Sequence, residues 1–255
     1  MNQQSPQATD LLSAIEDKRA MIGVIGLGYV GLPLAMTVAR AGFKVTGFDI
    51  DPSKMTAIEA GKSYIEAVPD DVLSAERDAG RFAATTDFAR LAECDVIALA
   101  LGVRQAIAVV GTAKKLGWND VKFLNTSAGF LAVVAAVPGG VTEGLYASAG
   151  WVDLQSRAAD PAVAKFMADY KAKFDQDAGG FAMLGYSAAD TVIRALEAAG
   201  PDLTQDSFIA GMESLSFYDE LADAKITYGP EDHQGADEVV ISIVENGQWK
   251  VLSRQ

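Results

Sequence analysis

Short apolar runs alternate with helically spaced stretches along the first 150 residues. Met21-Ile22-Gly23-Val24-Ile25 and Val96-Ile97-Ala98-Leu99 read as buried parallel strands, with Lys44–Phe48, Phe82–Thr85, Val121–Asn125 and Thr142–Ser148 completing the set. Between them, helices are predicted over 11–19, from Leu32 to a stop at Gly42, over 104–116 with Gly117 as the stop, and briefly over 131–137. Beyond 150 the period changes. Asp160-Pro161 opens a helix through Phe166, Tyr170 and Phe174, a longer one covers 180–199 up to Gly200-Pro201, and Thr204 begins a third to Leu215. Strands at 225–228, 239–244 and 249–252 follow, the last two joined by Asn246-Gly247, a strong hairpin turn. The pattern predicts an α/β fold: a doubly wound parallel sheet of order 3-2-1-4-5-6, with extra C-terminal helices and a β-hairpin.

Composition narrows the function. The 255 residues carry a formal net charge of −13, which opposes phosphate backbones and argues against nucleic acid as a partner. No apolar run approaches the roughly 20 residues of a membrane span. Met1 to Gln7 lacks a basic start and an apolar core of signal-peptide type, so the expected location is the cytoplasm. One cysteine, Cys94, and one histidine, His233, leave no disulfide and no Cys/His metal cluster. Cys94, at the entry of a buried strand, is expected to be a small core residue.

The chemistry concentrates at the first strand-to-helix turn. Gly26-Leu27-Gly28-Tyr29-Val30-Gly31 sits there, and Asp49 follows Gly31 by 18 residues at the tip of the next strand. That is the context a dinucleotide fingerprint requires. Gly26 allows the tight turn, Gly28 lets backbone approach a pyrophosphate, and Gly31 lets helix and strand close up. The helix amino terminus favours phosphate, and Asp49 accepts from a ribose diol, which favours NAD over NADP. Several ordered stretches then carry a resemblance: Gly26 to Ala35, Gly47-Phe48-Asp49-Ile50-Asp51, Gly61-Lys62-Ser63-Tyr64-Ile65-Glu66, and Arg81 to Phe88. Residues 10–99 resemble the NAD-binding, Rossmann-like half of the UDP-glucose/GDP-mannose dehydrogenase family, in its UDP-N-acetylglucosamine 6-dehydrogenase branch. The resemblance implies a weak NAD site of Gly26, Gly28, Tyr29, Val30, Gly31, Asp49, Ile50, Thr85 and Thr86. After Leu99 the family's Val-Pro-Thr-Pro turn is replaced by Ala100-Leu101-Gly102-Val103. Its cysteine nucleophile, assisting lysine and asparagine, and sugar-binding domain have no counterpart, so no catalytic residue is assigned.

A second resemblance begins at this point. Leu116-Gly117-Trp118, Phe123 to Ser127, Tyr170 to Phe174, Gly185-Tyr186-Ser187-Ala188-Ala189-Asp190, Ile226 to Gly235 and Glu245 to Trp249 carry it. Residues 97–255 resemble the carboxyl-terminal part of an ABC-transporter substrate-binding protein of the branched-chain amino-acid or amide type. The likeness implies one lobe of a ligand clamp, with helices that belong to the other lobe. A residual ligand site of Gly102, Val103, Thr126 and Ser127 is expected at strand carboxyl ends. Arg104 is expected to start a solvated helix face, His233 to be a structural hydrogen-bonding residue, and Asp70-Asp71 and Glu231-Asp232 to be solvated acidic turns.

The two resemblances meet between about 95 and 102 without a flexible linker. The expectation is a chimera, engineered or recombined, of a dinucleotide-binding half at 1–101 and a binding-protein half at 102–255, merged in one sheet across 95–101. Four readings compete: residual NAD(H) binding, residual amino-acid binding, a folded scaffold with no ligand, and a truncated nucleotide-sugar dehydrogenase. Apart from a small molecule, the 160–215 helices, whose apolar faces are too large to leave in water, are expected either to repack on this sheet or to pair with a second copy.

Overall fold

A computed structural model describes residues 6–255. Its helices and strands run in the order α1 (Pro6–Glu16), β1 (Met21–Ile25), α2 (Gly31–Arg40), β2 (Lys44–Phe48), α3 (Pro52–Glu59), α4 (Asp70–Asp78), β3 (Phe82–Thr85), β4 (Val96–Leu99), α5 (Val103–Lys115) and β5 (Lys122–Asn125). They continue with α6 (Ala132–Ala135), β6 (Tyr146–Ala149), α7 (Pro161–Phe174), α8 (Gly180–Ala199), α9 (Gln205–Glu213), β7 (Ser216–Asp219), β8 (Ala224–Thr227), β9 (Val240–Glu245) and β10 (Gln248–Arg254). One eight-stranded sheet has the order β10-β9-β6-β5-β4-β1-β2-β3, and β7-β8 form a separate pair. The predicted order 3-2-1-4-5-6 holds. The hairpin is an antiparallel pair that extends the same sheet.

The chain divides into two compact units, one of residues 1–129 with 144–146, the other of 130–143 with 147–255. In the first, β4 pairs in parallel with β1 from Ile22↔Val96 to Ile25↔Leu99, and with β5 from Val96↔Lys122 to Leu99↔Asn125. Ile97, Ala98 and Leu99 are buried, as a strand covered on both faces requires. Val24, Leu27, Leu32, Ala35, Leu73 and Phe82 belong to the core beside them. In the second unit Leu154, Val163, Ala178, Met183 and Leu221 form a core cluster. Elsewhere in it the Trp249 indole donates to the Leu131 carbonyl at 2.9 Å and packs on Phe130. Asn246 and Gly247 take φ of 55° and 74°, the geometry of a tight hairpin turn, and the Glu143 carboxylate accepts the Asn246 N–H at 2.7 Å.

Several boundaries differ from the sequence expectation, each for a local reason. The first helix stops at Glu16, with Lys18 at a left-handed φ of 59°. The sixth strand starts at Tyr146 rather than Thr142, because Thr142 is buried with its hydroxyl on the Val134 carbonyl at 2.6 Å and Gly144 takes φ +81°. Asp160 precedes Pro161 without capping its helix; its carboxylate holds Arg157 at 2.8 Å instead. Asp70-Asp71 is not a free turn. It opens α4, and Asp70 accepts from the Ser63 N–H at 2.7 Å and Lys62 Nζ at 2.9 Å. Helices α3 and α4 and strand β7 had no place in the pattern reading. His233 holds Glu213 at 3.1 Å, and Asp232 accepts the Gln234 N–H at 2.9 Å within its own turn.

Cys94 is buried beside Gly23, where an added Cβ would lie 3.0 Å from its Sγ. Burial, with Glu93 and Asp95 nearby, pushes its thiol up to about 11. The native thiol is therefore expected to resist an aromatic disulfide reagent at pH 8 and to react fully in denaturant. Rapid labelling of the native protein would contradict this burial.

Candidate functional site

The residues singled out from the sequence fall along one edge, the carboxyl ends of β1, β2, β3, β4 and β5. Backbone bonds tie that edge together: Gly26 N–H to Phe48 O at 2.8 Å, Asp49 N–H to Thr85 O at 3.3 Å, Ala100 N–H to Ile25 O at 3.1 Å and Thr126 N–H to Leu99 O at 3.3 Å. The nine predicted cofactor residues lie on the β1–β3 side of it. Gly102, Val103, Thr126 and Ser127 lie on the β4–β5 side.

The glycine turn has distinct steric demands at each position. Gly26 has φ +91°, a conformation that disfavours any Cβ. A Cβ on Gly31 would stand 1.6 Å from the Gly26 carbonyl oxygen, so this contact admits only glycine. A Cβ on Gly28 would meet nothing within 4 Å. Gly28 thus faces open space, and α2 begins behind it without a side-chain cap; Leu32 N–H is bonded to the Gly28 carbonyl, Leu34 N–H to that of Val30, and Pro33 has no N–H, so Gly31 supplies the first-turn N–H that can meet an anion. Tyr29, Val30 and Ile50 are 79%, 53% and 85% exposed, which is where apolar side chains flanking a bound nucleotide belong. Thr86 is exposed and Thr85 half-buried, its hydroxyl accepting the Asp87 N–H at 3.0 Å.

Asp49 is the electrostatic centre of this edge. It is 8% exposed, and its carboxylate accepts three bonds: Leu27 N–H at 2.8 Å, Asp51 N–H at 3.1 Å and Lys54 Nζ at 2.6 Å. Burial pushes the carboxyl up, but these donors outweigh it and hold it below the usual carboxylate value. Of roughly four lone-pair directions on a carboxylate, one remains. A two-point grip on a ribose diol therefore requires Lys54 to swing away. The sequence reading missed two supports of the turn. Lys54 is one. Tyr64 is the other: its hydroxyl donates to the Leu27 carbonyl at 2.8 Å, and burial with Asp49 and Asp51 nearby pushes the phenol up to about 12. Tyr64 lay within a quoted motif, but nothing local signals that it crosses to Leu27.

On the β4–β5 side, Gly102 caps α5 without a side-chain bond, and Arg104 is exposed as expected. Asn125 ends β5 fully buried, and neither its amide nitrogen nor its oxygen has a protein partner. It packs against Gly129, where a Cβ would clash with the amide at 1.8 Å. Among the described residues no group of three or more His, Cys, Asp and Glu could hold a metal, and no helix is long and apolar enough to cross a membrane.

Comparison with known proteins finds two family matches. Residues 76–248 match the periplasmic binding protein family model, more than half of the sequence. The chain belongs to the periplasmic binding protein family. Residues 20–129 also match the NAD binding domain of the UDP-glucose/GDP-mannose dehydrogenase family, so the two matches overlap over 76–129, across β3, β4 and β5. This binding protein thus carries a dehydrogenase-type turn at its first strand. GDP-mannose 6-dehydrogenase of Pseudomonas aeruginosa is 32% identical over 107 residues, 41% of this chain and 23% of the relative. An uncharacterised Methanocaldococcus jannaschii protein is 37% identical over 103 residues, 40% of this chain and 11% of its own length. A branched-chain amino-acid ABC transporter structure from Thermus thermophilus, with bound valine, superposes over 97% of this chain and 63% of its own, at a TM-score of 0.64 and 13% identity. That likeness shows the fold. The chain therefore spans less than a quarter of those two curated relatives and under two thirds of the solved one.

Gly31→Ala is expected to cost more than about 3 kcal/mol, because backbone must shift to relieve the contact with Gly26. Urea unfolding measures it, and a loss under about 1 kcal/mol would contradict the close approach. Asp49→Asn should cost about 1–3 kcal/mol at neutral pH, the range for hydrogen bonds to a charged group. Because the folded Asp49 pKa lies below its unfolded value, its contribution is present above about pH 4. It fades as pH falls further through the folded pKa. The wild-type and Asn curves of stability against pH should accordingly converge in acid.

Proposed function

We propose that this chain is a non-catalytic, dinucleotide-binding module built on a binding-protein fold, an engineered or recombined chimera with no complete active site. The observation that carries it is the open space at Gly28 beside the uncapped start of α2, with buried Asp49 one strand away. Backbone N–H groups of the turn hold the pyrophosphate, Asp49 takes the adenosine ribose once Lys54 gives way, and Thr85 and Thr86 flank the cofactor. NAD supplies hydride chemistry only where a substrate and acid–base groups face its nicotinamide. Here Cys94, the one cysteine, is buried and held as a thiol, and the turn after β4 is Ala100-Leu101-Gly102-Val103. Each missing cofactor hydrogen bond weakens binding by about 1 kcal/mol, so a loss of several lowers affinity by about two orders of magnitude.

A second reading, residual amino-acid binding, is supported by the family match over 76–248 and by the uncapped α5 start beside Thr126 and Ser127. Calorimetry separates the two. Saturable heat with NAD and none with leucine supports the first reading; the reverse supports the second. Gly28→Asp is the sharper probe. Its side chain projects into open space, so the melting temperature should hold while NAD binding disappears. Retained NAD binding in this variant would remove the turn from the site. Incubation with NAD and UDP-N-acetylglucosamine is expected to give no sustained NADH absorbance; turnover lost in Gly28→Asp would establish the third reading, a truncated dehydrogenase.

A further inference from the structure

Helix α8 is twenty residues long, yet its buried residues are only Met183 and Ala195. On its outer surface Phe181, Val192 and Leu196 are 72%, 45% and 40% exposed, and Gly185, Ala188 and Ala189 between them are exposed too. At about 100° per residue these six fall within an arc roughly 100° wide, a single stripe running most of the helix. Ile193, also exposed, borders it. No ionisable side chain lies on the stripe. Asp190 and Arg194 sit on other sides of the helix, bound to each other at 2.7 Å, with Arg194 stacked 4.4 Å over the Phe217 ring.

We propose that this stripe is the docking face for a second copy of the chain, with α8 packed antiparallel on α8 of its partner about a two-fold axis between Ala188 and Ala189. The stripe is self-complementary under that operation, as an isologous contact must be. Phe181 meets Leu196 of the partner subunit, Gly185 receives Val192 of the partner subunit, and Ala188 faces Ala189 of the partner subunit. Bulk lies at the two ends and small residues at the centre, so the helices approach closely where they cross. From typical side-chain areas the exposed face, with Ile193 and Tyr186 at its margin, amounts to on the order of 600 Å² per copy. That is just under the roughly 800 Å² per partner of a standard interface, which fits a weak, micromolar dimer. The charge balance sets a second signature. Each copy carries a formal −13 and brings no cation to the contact. Salt therefore strengthens the dimer by screening repulsion, the reverse of an ion-paired interface.

Sedimentation velocity of the full chain from about 1 to 300 μM is expected to show a monomer–dimer equilibrium. Association should tighten as sodium chloride rises from about 0.05 to 0.5 M. Val192→Glu should weaken it at least about 30-fold with an unchanged circular dichroism spectrum, since Val192 is exposed in the single chain. Ala188→Cys should form a disulfide-linked dimer under mild oxidation; Ala198→Cys, exposed on another side of α8, should not. A chain that stays monomeric throughout, or a dimer indifferent to Val192→Glu, or equal cross-linking at 188 and 198, would overturn the proposal and leave the face to a different occupant.

Discussion

Everything in the first unit hangs on the four residues of β4. They are paired along their whole length with β1 on one side and β5 on the other, and Ile97, Ala98 and Leu99 are buried while Val96 is half-buried. A strand so enclosed tolerates little besides small and branched apolar residues, and Val96-Ile97-Ala98-Leu99 supplies them. The constraint concerns backbone pairing and burial rather than any particular chemistry. Two families with parallel sheets can therefore share it, and here the two family matches overlap across it.

What β4 positions is the row of turns at the sheet's carboxyl edge. The Gly26–Gly31 turn is held from several directions: by the Gly31 contact beneath, by Asp49 on the Leu27 N–H and by Tyr64 on the Leu27 carbonyl. This fixation has two consequences. The turn is already in a shape that suits a phosphate pair, so little ordering entropy remains to be lost on binding. Asp49, however, is committed to internal donors, and Lys54 must be displaced before its carboxylate can grip a diol. Under the proposed reading, stability and recognition compete for the same oxygens.

The second unit has a different imbalance. Its aromatic residues are well used near Trp249 and Phe130, where ring packing and an indole hydrogen bond close a core. Along α7 the rings of Phe166, Tyr170 and Phe174 stack on one another. Phe174 is nevertheless half exposed, and α8 offers an apolar stripe to water. The chain spans under two thirds of the solved Thermus thermophilus relative, and within the described residues this helical surface is left uncovered. Self-association removes that surface from water without any change in the fold.

The sequence by itself determined the sheet. Compact apolar runs, helix stops at Gly42 and Gly117, and the Asn246-Gly247 turn are local signals, and right-handed parallel crossovers leave few alternatives for the order of the strands. It also marked the glycine turn and Asp49, because spacing along a strand–turn–helix unit is a one-dimensional property. Tertiary structure alone decided the rest. That Gly31 is obligatory follows from a carbonyl five residues away folding back onto it. Lys54 and Tyr64 meet the turn only because α3 and the segment after it lie beside β1 and β2; α3 has little apolar periodicity, and α4 sets few apolar residues, chiefly Val72, Leu73 and Ala75, among charged ones. Asp70 is exposed, as its sequence suggests, but only the fold brings the Ser63 N–H and Lys62 to its carboxylate. The exposure of α8 is likewise invisible in a sequence. An amphipathic helix carries the same pattern whether its apolar face is buried or bare, and only the placement of its neighbours distinguishes the two.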